Sequence, residues 1–237
     1  MYRNTFLSVM FLACCFNGSL CAQSDAQIYE RTCDAKTYPF SDPSPVATPN
    51  NSYYPYFRFD GFSMQAQEKQ WKMVVLENDY VKLTVTPEIG GKIWGAIDKV
   101  NNKEFVYTNG VVKFRDVAMR GPWTSGGIEF NFGIIGHAPT CSTPIDYLTK
   151  KNVDGSVSCH IFSYEWITRT VWNVEISLPK DKAYFTTHTT WFNQSSIDQP
   201  YYQWMNAGYA TKTGTRFYYP GTYSIGCLLY TSPSPRD

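Results

Sequence analysis

The chain has few charged residues and no basic run. Charged side chains make up 17% of its 237 residues, and the formal net charge is +1. An average soluble domain is about one quarter charged. A protein that binds nucleic acid through its phosphates needs a basic patch or stripe, which this composition lacks. We therefore expect no nucleic-acid partner.

Histidine is scarce, and the cysteines are not spaced as metal ligands. The chain contains three His, and its seven Cys include no C-x-x-C pair. Structural zinc sites need four such ligands, with cysteines in closely spaced pairs. We predict no metal site and no cofactor.

Long hydrophobic runs are absent, apart from a short one near the N-terminus. A basic residue precedes the apolar stretch Thr5 to Phe16, which is too short to span a bilayer as a helix. A small residue before a cleavage point follows, so we interpret residues 1–22 as a secretion signal. The predicted protein is exported and acts in the periplasm or at the cell surface. A lipid anchor at Cys14 or Cys15 is the alternative, and we predict no transmembrane segment.

The segment 227–237 has a different character. It reads CLLYTSPSPRD, which matches codon by codon the translation of a transposase-based sequencing adapter. We predict that this segment is not part of the natural protein. We therefore assign no structure or function to it, as for any sequence added by cloning. The natural sequence is then expected to continue after Gly226.

Three cysteines remain between the two ends, namely Cys33, Cys141 and Cys159. An oxidising compartment permits one disulfide among them. Proximity in the sequence favours a Cys141–Cys159 pair, although composition alone leaves the pairing open.

Proline and tyrosine are concentrated in residues 23–70, for example in TYPFSDPSP from Thr37 to Pro45. Proline at this density is excluded from central strands. We predict an extended leader packed on the main domain, with edge strands near Tyr54 to Phe59.

Residues 71–226 show the alternation of half-buried strands. Val81 to Thr86 and Trp172 to Leu178 each place apolar side chains at every second position. Turn residues follow at intervals of about ten residues, and no segment has the period of an amphipathic helix. Many short strands with regular turns are typical of a sandwich. The predicted fold class is all-β, an antiparallel β-sandwich.

The densest group of polar and aromatic side chains lies between Phe114 and Tyr147, in a glycine-rich sequence. Glycine lets a backbone approach a ligand closely. Tryptophan can stack on the C–H face of a sugar, while planar side chains give paired hydrogen bonds to its hydroxyls. The candidate sugar-binding residues of this stretch are Arg120, Trp123, Asn131 and Asp146.

Several motifs resemble the DUF5107 family over roughly residues 36 to 226. They are LENDY at 76–80, PEIGGKIW at 87–94, GPWTSGGIEFNF at 121–132, GHAP at 136–139 and YQWMNA at 202–207. The resemblance implies a galactose mutarotase-like supersandwich, here incomplete, in exported bacterial proteins that often carry TPR-type repeats after it. On the family motif Asn206 is expected to face the cleft beside Trp204, and Trp123 and Trp204 serve either as sugar platforms or as core residues. The resemblance also implies a repeat domain after the sandwich.

The reaction of a mutarotase indicates which residues to consider as catalytic. A base takes the proton of the anomeric hydroxyl and an acid protonates the ring oxygen, so both groups need suitable pKa values. Known mutarotases use a Glu base and a His acid, and the candidates here are Glu129 and His137. Purely structural roles, a loop bond for Glu129 and a turn cap for His137, remain as alternatives.

Three functions follow from these patterns. The first is a carbohydrate-active enzyme that acts on glycans by epimerisation or by glycosidic cleavage, in which case Glu129 and Asp146 are the candidate carboxylate pair. The second is a non-catalytic glycan-binding module. The third is an interaction scaffold for TPR-like repeats. A carbohydrate ligand is the expected partner in the first two.

Overall fold

A computed structural model describes residues 24–41, 61–116, 122–133, 137–165, 168–200, 202–209, 211, 213–216, 218 and 221. Nearly all regular structure in these residues is β, with short 3₁₀ helices at Pro87–Ile89 and Pro139–Cys141. The strands are β1 (Gln27–Tyr38), β2 (Gln67–Glu77), β3 (Val81–Thr86), β4 (Lys92–Asp98), β5 (Lys103–Val106), β6 (Val112–Lys113), β7 (Arg115–Asp116), β8 (Pro122–Trp123), β9 (Ile128–Phe132), β10 (Asp146–Lys151), β11 (Val157–Glu165), β12 (Thr170–Leu178), β13 (Thr186–Asn193) and β14 (Gln203–Ala207).

The strands form two large sheets and one small one. The eight-stranded sheet has the order β14-β9-β4-β3-β2-β1-β6, with β5 also paired to β4, and the four-stranded sheet runs β10-β11-β12-β13. The pair β7–β8 stands apart. Neighbouring strands are antiparallel except for the short parallel pair β1–β6. The predicted all-β sandwich is confirmed.

The main core lies between the two large sheets. In β3, Val81, Leu83 and Val85 are buried in it, while Lys82 and Thr84 lie on the opposite face, as a period of two requires. Across the sandwich, the rings of Phe132 and Trp172 stack with centroids 4.6 Å apart. Burial of each such side chain contributes about 1.5–3 kcal/mol, so this interface holds the sheets together.

The other side of the eight-stranded sheet, which we call the site face, carries a second and smaller core. Its buried residues are Trp71, Met73, Ile89, Trp94, Val112 and Phe114. Because side chains alternate along a strand, the polar neighbours of the main core in β3, β4 and β9 also lie on the site face. This side of the sheet therefore combines apolar packing with the polar candidates.

Part of the segment 23–70 forms strands of the large sheet. β1 pairs with β2 over its whole length, from Gln27 opposite Glu77 to Thr37 opposite Gln67. The predicted edge strands near Tyr54 to Phe59, the predicted signal 1–22 and the segment 227–237 lie outside the described residues. Where the chain is described, no helix is long and apolar enough to cross a membrane.

The favoured disulfide is wrong, because Cys33, Cys141 and Cys159 are all free thiols. Cys159 lies in β11 and packs in the core between the sheets. Cys141 belongs to the 3₁₀ helix beside β9, and its Sγ contacts the Pro122 carbonyl oxygen at 3.8 Å. Burial raises the pKa of both thiols, that of Cys159 to about 12. Both sulfurs are therefore held as protonated thiols in separate packing environments.

Candidate functional site

The alternation of side chains along β9 determines which of its residues reach the candidate site. Ile128, Phe130 and Phe132 are buried in the main core, so Glu129 and Asn131 between them lie on the site face. Gly127 precedes the strand with φ +66°, and a Cβ there would lie 2.3 Å from the Ile93 carbonyl oxygen. Only glycine allows β9 to begin this close to β4.

Glu129 and His137 form a direct hydrogen bond. His137 Nδ1 and Glu129 Oε1 are 2.7 Å apart, and the two side chains are 12% and 2% exposed. A carboxylate can only accept hydrogen bonds, so Nδ1 is the donor and the lone pair of the neutral ring is on Nε2. His137 Nε2 has no hydrogen-bond partner among the residues that the structure describes. We call this pair the dyad.

Asn131 ties both members of the dyad to β9. Its Nδ2 donates to Glu129 Oε1 at 2.7 Å. Its Oδ1 accepts from the Ala138 backbone N–H at 2.8 Å, and Ala138 follows His137 directly. His137 itself has φ +53°, a left-handed conformation that is uncommon for a residue with a side chain. One buried amide thus fixes the carboxylate and the backbone beside the imidazole.

Two tryptophans frame the imidazole. The His137 ring meets Trp204 edge to face with centroids 4.6 Å apart, and it meets Trp123 at 5.8 Å in a similar orientation. Trp204 lies on β14 opposite Asn131, and the next residue on that face, Asn206, lies opposite Glu129. The strand pairing β9–β14 therefore brings the predicted aromatic and amide groups to the dyad.

Lys92 is a buried cation near the dyad, which the sequence reasoning missed. It is 1% exposed. Its Nζ donates to the carbonyl oxygen and to Oγ1 of Thr124, and it lies 6.0 Å from the ring centres of both Trp94 and Trp123. Burial lowers the pKa of Lys92, while the charge of Glu129 acts in the opposite direction. The motif GGKIW could have indicated this burial. A lysine that stands between buried residues of a strand needs hydrogen-bond partners inside the protein.

Among the described residues, the second carboxylate oxygen of Glu129 is buried and accepts no hydrogen bond from a nitrogen or oxygen donor. Burying a carboxylate oxygen without a hydrogen bond costs folding free energy. Nearby groups that stabilise its negative charge reduce this cost. Lys92 is the nearby cation, and the thiol of Cys141 is close enough for Glu129 to help raise its pKa. The site therefore concentrates one negative and one positive charge in a poorly solvated volume.

The structure brings together six of the predicted site residues and separates others. Glu129, His137, Asn131, Trp123, Trp204 and Asn206 form one cluster, by the contacts and pairings given above. Asp146 is exposed at the start of β10 in the four-stranded sheet, and no described contact joins it to the dyad. Arg120 lies outside the described residues.

No metal centre is apparent in the part of the chain that the structure describes. No group of three or more His, Cys, Asp or Glu side chains there is arranged to hold an ion. The remaining histidines lie on the four-stranded sheet, where His160 Nε2 is 3.8 Å from Glu175 Oε1 and His188 is exposed on β13. A carboxylate that is hydrogen-bonded to an imidazole is an arrangement that can take part in proton transfer.

The fold and the site define a β-sandwich domain with a carboxylate–imidazole pair on the open side of its larger sheet. The chain belongs to the family described as "Domain of unknown function (DUF5107)", whose model matches residues 48–234.

The chain is also similar to the crystal structure of a TPR-domain containing protein from Parabacteroides distasonis. The identity is 26% and the TM-score 0.71, over 78% of this chain and 32% of that one. The chain thus spans about a third of the length of that structure.

Proposed function

We propose that this is an exported carbohydrate-recognising domain, and that His137 moves a proton on a bound sugar. The observation that carries the proposal is the hydrogen bond between His137 Nδ1 and Glu129 Oε1, framed by Trp123 and Trp204. Export rests on the apolar N-terminal segment of the sequence.

The dyad supports a single acid–base centre. Glu129 positions the imidazole and stabilises its protonated form, while Nε2 is the atom that exchanges the proton. Because the two side chains bond each other, they act as one unit and do not hold a sugar between them. A positioned acid–base group of this kind typically contributes about 10²–10⁴-fold to a rate.

Epimerisation of an aldose fits one such centre. Nε2 takes the proton of the anomeric hydroxyl, the electron pair left on that oxygen forms the C1=O1 double bond, and the C1–O5 bond breaks with its electron pair going to the ring oxygen. The imidazolium returns the proton to that oxygen, which is bonded to the same carbon as the hydroxyl. The aldehyde group at C1 then rotates about its bond to C2, and the same steps in reverse close the ring. Cleavage by two carboxylates is less well supported, since Asp146 and Glu129 belong to different sheets.

The surroundings of the dyad are compatible with a sugar. Indole rings give stacking surfaces, and amide side chains give both donors and acceptors for hydroxyl groups. Trp204 and Asn206 reach the dyad from the same strand, two residues apart on one face. A hydroxyl group can bond such an amide while the ring rests on the indole.

A non-catalytic glycan-binding module is the second candidate function. The low exposure of both members of the dyad favours it, because a buried pair also serves to hold Trp204 in place. A scaffold for TPR-like repeats is the third, supported by the similarity to a TPR-domain containing protein.

The test is a glycan array combined with thermal-shift measurements on the full chain. Wild type is compared with His137→Asn and with the control His188→Asn, whose histidine is exposed on the other sheet. We expect glycan-dependent stabilisation in all three, and product from wild type and the control only. Stabilisation without any product supports the binding module, and no response in any of them supports the scaffold.

A further inference from the structure

We propose that a groove on the site face binds a second sugar unit of the same glycan, so that the substrate is an oligosaccharide or polysaccharide. The inference rests on the proposed function, because it assigns the reacting unit to His137. It extends that function by naming the substrate class.

The groove lies across β1, β2, β3 and β4. It encloses about 270 Å³. This is close to the lower limit of roughly 300 Å³ for small-molecule sites, which suits one sugar ring better than a large ligand. Its floor comes from the site-face side chains of these strands, among them Met73 and Thr84. A loop after β5, Thr108 to Gly110, forms one wall.

The groove is connected to the dyad through Trp94 and Lys92, while neither dyad residue lines it. Trp94 lines it, and the same indole lies 6.0 Å from the ammonium of Lys92, the cation beside Glu129. The loop wall is also joined to the segment that leads into β9, since Asn109 Nδ2 donates to Ser125 Oγ at 2.7 Å. The Tyr107 carbonyl oxygen accepts from the Gly127 N–H at 2.8 Å. Trp94 and the hydrogen-bonded loop after β5 therefore connect the groove to the site.

The lining chemistry favours a neutral sugar. Arg31 and Lys82 are balanced by Asp34 and Glu104, so the groove has no excess of one sign. A polyanionic glycan would need a basic excess, and a cationic one an acidic excess. Guanidinium and carboxylate groups also give the paired hydrogen bonds that vicinal hydroxyls accept and donate.

Gly110 gives a direct way to fill the groove. It lines the groove, and a Cβ added there meets no atom within 4 Å. Its φ is not in the left-handed range, so a larger residue is not strained. Gly110→Phe therefore adds a ring at the wall of the groove, which neither dyad residue lines.

Arg31→Ala serves as a second variant in case the bulky substitution disturbs folding. Arg31 is exposed on β1 and contributes its guanidinium to the groove. Lys36→Ala is the matched control, because Lys36 is exposed on the opposite face of the same strand.

The experiment measures the affinity of the full chain for ladders of one to six units of galactan, mannan, xylan, arabinan and glucan oligosaccharides. For the ladder that binds, wild type and Lys36→Ala gain at least tenfold in affinity from one unit to two or three. Gly110→Phe and Arg31→Ala lose that gain and keep the affinity for the single unit.

Two results would overturn the inference, and they are distinguishable. If wild type binds a monosaccharide as tightly as every longer member, or both groove variants keep the gain, the groove is not a subsite while the proposed function stands. If wild type binds no member of any ladder, the inference and the proposed carbohydrate function fall together.

Discussion

His137 Nδ1 and Glu129 Oε1 lie 2.7 Å apart, with Glu129 on β9 and His137 in the segment that follows it. Asn131 bonds the carboxylate from the same strand and holds the backbone of Ala138. The imidazole is thus fixed from both sides by one strand. Any change that displaces β9 should therefore disturb the dyad together with the part of the main core that β9 supplies.

The first prediction concerns Gly127, at the start of β9. Gly127→Ala places a Cβ against the Ile93 carbonyl oxygen in a left-handed backbone conformation. We expect a loss of about 2 kcal/mol in the free energy of unfolding, as such strain typically costs 1–3 kcal/mol. Denaturant unfolding measures it. Gly110→Ala is the control, because its added Cβ meets open space, and it should stay within about 0.5 kcal/mol of wild type. Equal effects would show that β9 is not held by this close approach.

The sequence predicted the strands whose two faces differ, and it was less informative where both faces are similar. Val81–Thr86 and Thr170–Leu178 alternate strictly, because one face is buried in the main core. Gln27–Tyr38 is exposed along most of its length, so its strand is set by backbone pairing with β2 and leaves little pattern to detect.

Part of the candidate site was predictable from the sequence. Its glycines and aromatic residues stand close together in the sequence, and Trp204 came from the family motif. The hydrogen bond between Glu129 and His137 depends on the left-handed φ of His137. The burial of Lys92 depends on Trp94 and Trp123, which come from separate strands. The first depends on a backbone conformation and the second on a contact with another strand, so no spacing in the sequence encodes either.

A second prediction follows from the buried charge of Lys92. Burial lowers its folded pKa below the ordinary 10.5. Between these two pKa values the unfolded chain binds the proton and the folded chain does not, so the free energy of unfolding rises with pH in that window. Relative to Lys92→Met, wild type should gain up to about 1.4 kcal/mol per pH unit there. Lys150→Met, which removes an exposed lysine of β10, should follow wild type. Parallel curves for wild type and Lys92→Met would contradict the buried charge.

A third prediction is that Cys159 makes the free energy of unfolding fall as the pH rises, the opposite of the effect of Lys92. Its pKa rises from 9.0 to about 12 on folding, mainly through burial. The stability it contributes is complete below pH 9.0 and is lost as the pH rises towards 12. Wild type should therefore lose about 1.4 kcal/mol per pH unit in this range relative to Cys159→Ala. Cys33→Ala, at a partly exposed thiol, is the control. Iodoacetamide labelling of Cys159 in the native protein would contradict its burial.

The measurement that tests the central claim most directly is turnover and affinity of Glu129→Gln on the glycan that the array selects. Glu68→Gln, an exposed carboxylate of β2, is the matched control. Glutamine keeps the size of the side chain but cannot stabilise an imidazolium as a carboxylate does. We predict that Glu129→Gln loses about 10²-fold or more in turnover, with affinity within a few-fold of wild type and of Glu68→Gln. Turnover equal to wild type at unchanged affinity would contradict the proposed dyad.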